Sequence, residues 1–134
     1  CFHFAKKQEY RNRIIMKKIL IVDDEPNIVM SLEYTFKKNN FEVFIARDGQ
    51  EALDIVKTDF PDVIILDVMM PMVDGYATLE QIRKDVNLSQ TKVIFLSAKN
   101  KTSDIEKGMA LGADAYLTKP FSIKKVLETV LKLL

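Results

Sequence analysis

Residues 63–67 read Val63-Ile64-Ile65-Leu66-Asp67, four unbroken apolar side chains closed by a carboxylate. Ile19-Leu20-Ile21-Val22 and Val93-Ile94-Phe95-Leu96 repeat the apolar run. Strands buried on both faces read this way, and parallel sheets covered by helices bury both faces. Phe41-Glu42-Val43-Phe44-Ile45 is more mixed and suits an edge strand. Ala115-Tyr116-Leu117 is short and suits the opposite edge.

Helical patterns alternate with these runs. Pro26 suits a first helical turn, where its missing N–H costs nothing, and Ile28, Leu32 and Phe36 follow before Asn39-Asn40. Asp48 and Glu51 form a capping box ahead of Ala52, Ile55 and Val56. Asp74-Gly75 opens a helix carrying Tyr76, Leu79 and Ile82. Ser103 is read as the cap of a helix from about Thr102 to Leu111, carrying Ile105 and Met109 and ended by Gly112. Ser122 caps the last helix, with Ile123, Leu127, Val130 and Leu134 expected on one face.

Five β-α units with right-handed crossovers predict an α/β fold, a doubly wound five-stranded parallel sheet of order 2-1-3-4-5. Ligands in such sheets bind beyond the carboxyl ends of the strands, where the strand order switches between strands 1 and 3. Asp23-Asp24 follows the first strand and Asp67 ends the third. Ser97 and Lys119 end the fourth and fifth. Clustered carboxylates repel unless a cation joins them. All-oxygen ligands favour a hard ion, and Mg²⁺ typically takes one or two carboxylates plus waters and phosphate oxygens. The set therefore predicts a metal-assisted phosphoryl site. Asp67 is the candidate nucleophile, Lys119 the holder of one phosphoryl oxygen, and Ser97 a hydrogen-bond donor to another.

The 134 residues suit one domain of 16–134 behind an unlike leader of 1–15. The leader lacks the β-α rhythm and the apolar region of a signal peptide, so it reads as a non-native or disordered extension with Met16 as the natural start, a genuine short helix or arm being the alternative. Lys6, Lys7, Arg11 and Arg13 against Glu9 give it a charge of +3, leaving −2 of the net +1 for the rest. That balance gives no sign of direct nucleic-acid binding, and no run reaches the roughly 18 apolar residues of a membrane span. The single cysteine, Cys1, can form no pair within the chain, which fits a reducing cytoplasm.

Ile21-Val22-Asp23-Asp24-Glu25-Pro26, the segment from Asp67 through Met69-Met70-Pro71-Met72 to Asp74-Gly75, Leu96-Ser97-Ala98 and Leu117-Thr118-Lys119-Pro120-Phe121 together resemble the receiver domain of two-component response regulators. The resemblance covers about residues 17–134, with every signature motif in order. It implies the flavodoxin-like (β/α)5 receiver fold and phosphorylation of Asp67 by a sensor histidine kinase or phosphotransfer protein. It implies Mg²⁺ (or Mn²⁺) on Asp24, Asp67 and the backbone carbonyl of Met69, with Asp23 acting through water. By the same resemblance Ser97 is the switch hydroxyl, Tyr116 the aromatic that turns inward with it, and the Lys119–Pro120 bond is cis. Met69 and Lys99 would tune phosphoryl lifetime, and the apolar Met69 leans toward slow loss.

The chain would not be an enzyme in the ordinary sense, catalysing only its own phosphorylation and dephosphorylation. Its output would pass to a partner or output domain through the face of helix 4, strand 5 and helix 5. The stretch Gly112 to Ser122 looks like receivers that drive winged-helix transcription factors. Ala115, Lys125 and Thr129 replace the charges that pair two such receivers, so a monomer or weak dimer is expected. A stand-alone receiver and a piece of a longer regulator both fit. A haloacid-dehalogenase-type phosphatase would need a second Asp where Met69 stands. A flavin carrier would need a Gly- and hydroxyl-rich loop where Asp23-Asp24-Glu25 stands. A degenerate receiver acting only as an interaction module would not need the full set of chemical residues.

Overall fold

The computed structural model describes residues 16–70 and 73–134. The readings placed on residues 1–15, Pro71 and Met72 lie outside it. Strands β1 (Lys18–Val22), β2 (Glu42–Ala46), β3 (Val63–Leu66), β4 (Lys92–Ser97) and β5 (Ala115–Thr118) form one parallel sheet of order β2-β1-β3-β4-β5. Helices α1 (Pro26–Lys38), α2 (Gly49–Asp59), α3 (Gly75–Lys84), α4 (Thr102–Ala110) and α5 (Ile123–Leu133) cross between strands, with a short 3₁₀ turn at Val86–Leu88. The order is the one expected, and each strand lies within one or two residues of its apolar run.

Alternate residues of each strand feed opposite layers, because successive side chains leave a strand on opposite faces. Leu20, Val22, Ile64, Leu66, Val93 and Phe95 face the layer that includes α2 and α3. Ile19, Ile21, Ile65, Ile94 and Leu96 face the layer of α1 and α5. All are buried, which explains why β1, β3 and β4 carry no polar alternation. The edge strands β2 and β5 are only partly covered, matching their mixed sequences.

Two helix readings need correction. The residue before α4 is Lys101, not Ser103, and its backbone N–H donates to the Asp104 carboxylate at 3.3 Å. Ser103 lies inside the first turn, because an acid three residues into the helix satisfies the entry. On α5 the buried stripe runs through Val126 and Val130, flanked by Ile123, Leu127 and Leu133, while Leu134 is exposed. The four-residue spacing from Val130 to Leu134 ran past the end of the helix. Asp48, Asp74 and Ser122 cap as expected, accepting from the N–H groups of Glu51, Ala77 and Lys125 at 2.8, 2.9 and 3.0 Å.

Arg83, at the end of α3, ties α3 to the α4–β5 loop and to the start of β4. Its Nε donates to the Gly112 carbonyl at 3.0 Å, Nη1 to the Thr91 carbonyl at 2.8 Å, and Nη2 to Asp114 at 3.1 Å. Asp114 Oδ2 also accepts the Val93 N–H at 2.8 Å. Replacing Arg83 with Met keeps the stem's packing but strips partners from these acceptors, which costs about 2 kcal/mol. Urea unfolding of Arg83→Met should show that loss as a lower midpoint with an unchanged slope.

Candidate functional site

The carboxyl ends of β1 and β3 meet because their ladder continues one step past β3, where the Asp67 N–H donates to the Val22 carbonyl at 3.0 Å. On the other side of β1 the Asp23 N–H donates to the Ala46 carbonyl of β2 at 3.2 Å. Carboxylate oxygens of Asp23, Asp24 and Asp67 consequently lie within 4.8 Å of one another. Asp23 and Asp67 are buried and Asp24 is exposed. An all-carboxylate, part-open trio of this kind suits a hard divalent cation. Gly75 brings α3 against the site: its N–H donates to the Val68 carbonyl at 2.9 Å. A Cβ there would collide with the Asp67 carbonyl and stand 2.8 Å from the Val68 Cα.

Lys119 supplies the countercharge. Its Nζ lies 3.2 Å from Asp23 Oδ2, 3.3 Å from Asp67 Oδ2 and 3.3 Å from Glu25 Oε1. The bond between Lys119 and Pro120 is cis. Burial pushes the Asp67 carboxyl above the ordinary carboxylate range. The Met69 N–H, which donates to Oδ1 at 3.1 Å, and Lys119 oppose that push, and the Asp23 charge adds to it. For Lys119 burial alone would lower the ammonium's pKa, but the charges of Asp67 and Asp23 outweigh it and the net direction is upward.

Ser97 stands one step away. It is fully buried at the end of β4, and its hydroxyl accepts the Lys99 N–H at 3.2 Å. Its backbone carbonyl accepts the Lys119 N–H at 2.8 Å. Tyr116 is half-buried on β5, and its hydroxyl donates to the Lys99 carbonyl at 2.8 Å. One residue, Lys99, thus joins Ser97 to Tyr116 through its own backbone. The Met69 side chain is exposed.

Two contacts escaped the sequence reading. Glu25 holds Lys119, although its position before α1 reads as a helix entry. Tyr76, read as an apolar helix position, donates its hydroxyl to the Asp104 carbonyl of α4 at 3.0 Å. Burial, then the neighbouring Tyr116 hydroxyl, raise the Tyr76 phenol pKa. A Tyr rather than Phe at that buried position was the available signal, since a buried phenol needs a partner.

A carboxyl whose folded pKa is raised stabilises the fold below its unfolded value near 3.8, and loses that advantage as pH rises through the folded value. At neutral pH and without divalent ions, ionised Asp67 is therefore a net cost. Asp67→Asn should unfold at a higher temperature than the parent at pH 7, with the gap closing toward pH 3. Millimolar Mg²⁺ should stabilise the parent more than the variant.

Comparison with known proteins agrees with this geometry. The family model described as response regulator receiver domain matches residues 19–131. The chain is 44% identical over 110 residues to the alkaline phosphatase synthesis transcriptional regulatory protein PhoP of Bacillus subtilis (strain 168), covering 82% of this chain and 45% of that protein. It matches the probable transcriptional regulator ycf27 of Guillardia theta at 44% over 110 residues, covering 82% of this chain and 42% of that one. The chain thus spans less than half the length of these curated relatives. Among solved structures, the chemotaxis response regulator CheY4 of Vibrio cholerae superposes with a TM-score of 0.84 at 33% identity, covering 89% of this chain and 99% of that one. The receiver domain of the Francisella response regulator 1452 gives 0.81 at 40% identity, covering 87% and 95%. With its sheet order, its acidic trio at the strand switch and these matches, the chain belongs to the response regulator receiver domain family.

Proposed function

We propose that Asp67 is the phosphoacceptor of a two-component system, charged by a sensor histidine kinase or phosphotransfer protein. The observation that carries this reading is the Lys119 ammonium 3.3 Å from Asp67 Oδ2, beside an acidic trio. An Asp67 carboxylate oxygen attacks phosphorus in line. The new O–P bond forms as the donor's P–N bond breaks, and the electron pair leaves with the imidazole. With a small acyl phosphate the bond broken is P–O and a carboxylate leaves.

A divalent ion, Mg²⁺ or Mn²⁺, on Asp24, Asp67 and the Met69 carbonyl, with Asp23 acting through water, would neutralise charge on the phosphoryl oxygens. The chain's own groups then act by position. Lys119 donates to one phosphoryl oxygen and Ser97 to another. The only chemistry proposed for the chain is on itself, gain and loss of this phosphoryl group.

The Ser97 hydroxyl accepts the Lys99 N–H and keeps its own O–H to donate, so a shift of Ser97 toward a phosphoryl oxygen would pull on the Lys99 backbone. The Lys99 carbonyl also holds Tyr116, so the two side chains respond together. A phosphoryl group shifts such an equilibrium only by its differential affinity for the two states. The signal would leave through α4, β5 and α5 toward an output domain or partner. The family's signalling role supports a cytoplasmic setting, and among the described residues no helix is long and apolar enough to cross a membrane.

Incubation with acetyl phosphate and Mg²⁺ should add the mass of one phosphoryl group, absent in Asp67→Asn. No gain in the parent chain refutes the phosphoacceptor reading. Ser97→Ala should still take up phosphoryl but lose most of the phosphoryl-dependent change in hydrogen exchange across residues 99–110. An unchanged exchange response in that variant refutes the coupling role.

A further inference from the structure

The ammonium of Lys119 has three N–H donors, and three carboxylates surround it: Asp23, Asp67 and Glu25. We propose that Glu25 is a positioning residue that competes with the incoming phosphoryl group for Lys119 and so sets the rate of phosphoryl uptake. The proposal rests on the phosphoacceptor reading of Asp67.

Glu25 is built for this contact. It precedes α1 in extended conformation, yet its side chain makes no capping hydrogen bond to that helix. Its backbone is committed locally: the N–H donates to Asp23 Oδ1 at 2.9 Å, and the carbonyl accepts the Val29 N–H at 3.1 Å. The carboxylate is left free to turn across to Lys119, 94 residues away in sequence.

The three contacts are not equal. The side chains of Asp23 and Asp67 are 3% and 5% exposed, whereas that of Glu25 is 58% exposed. Stripping the ammonium from a buried carboxylate leaves an uncompensated charge away from water. Stripping it from Glu25 returns a carboxylate to solvent at little cost. When Lys119 must offer an N–H to a phosphoryl oxygen, the Glu25 contact is the one that yields. Glu25 is thus the exposed partner among the three. It therefore slows uptake, and once the phosphoryl group holds Lys119 its influence ends.

Two measurements on the intact chain test this. The first needs neither metal nor phosphate: competitive acetylation of lysines, read by peptide mass. Lys119 should label about two- to fivefold faster in Glu25→Ala, the range an exposed ion pair commands, with Glu25→Gln between. The second is uptake from acetyl phosphate with Mg²⁺, followed by the rate of phosphoryl loss. Glu25→Ala should speed uptake by a similar factor and leave loss unchanged.

An uptake gain with no rise in Lys119 labelling marks simple charge repulsion and overturns the proposal. Uptake and loss changing together mark a structural disturbance and overturn it too. Parental labelling and uptake in Glu25→Ala also overturn it. No uptake by the parent chain refutes the phosphoacceptor reading itself, which the labelling result does not touch.

Discussion

Asp23 and Asp67 are buried carboxylates packed side by side, and both depend for a partner on one ammonium delivered from 96 and 52 residues away. That requirement constrains the sheet. Strand β5 lies two strands from β3, about 9–10 Å at ordinary strand spacing, further than a lysine side chain comfortably spans. The Lys119 N–H donates to the carbonyl of Ser97, which carries the β4–β5 ladder one step past the strand. From there the Lys119 side chain reaches both Asp23 and Asp67. Order, register and loop path must all be right before the ammonium reaches both carboxylates. The same geometry places Ser97, whose carbonyl anchors Lys119 and whose hydroxyl faces Lys99, between the acidic site and Tyr116.

Most of this was legible in sequence because it rests on strong local signals. Unbroken apolar runs mark doubly covered strands, and a polar residue ending each run marks the sheet edge where a site forms. Topology then gathers Asp23, Asp24 and Asp67 without any knowledge of side-chain contacts. What stayed hidden was side-chain reach and backbone partnership. Glu25 looks like one more acid in an acidic turn, and nothing local says it bends toward Lys119. Arg83 reads as a basic residue ending a helix, a common dipole-favoured placement, although its guanidinium binds carbonyls from two loops. The Lys99 link is invisible because its backbone, not its side chain, makes the bonds. Ser103 misled for the converse reason: hydroxyl residues cap helices often, but Asp104 met the demand of the Lys101 N–H first.

The packing around α4 makes that helix a suitable carrier for a small change at Lys99. Gly108 is its one buried residue, and a Cβ there would sit 3.0 Å from the rings of both Phe95 and Tyr116. Those rings belong to a row: Tyr76 meets Phe95 edge-on at 5.5 Å, and Phe95 meets Tyr116 at 5.6 Å. Little of α4's own apolar surface is buried, and two phenols reach it and its approach: Tyr76 on the Asp104 carbonyl and Tyr116 on the carbonyl of Lys99, three residues before the helix. Elements anchored this thinly open at low free-energy cost. The neighbouring face points the same way about pairing. Asp114 is turned inward to Arg83 and Val93, and the Thr129 hydroxyl donates to the Lys125 carbonyl of its own helix at 2.8 Å. Groups already satisfied within the chain gain little from a second copy. On the switch proposed for Asp67, the position of α4 rather than charge pairing between receivers would carry the output from this face.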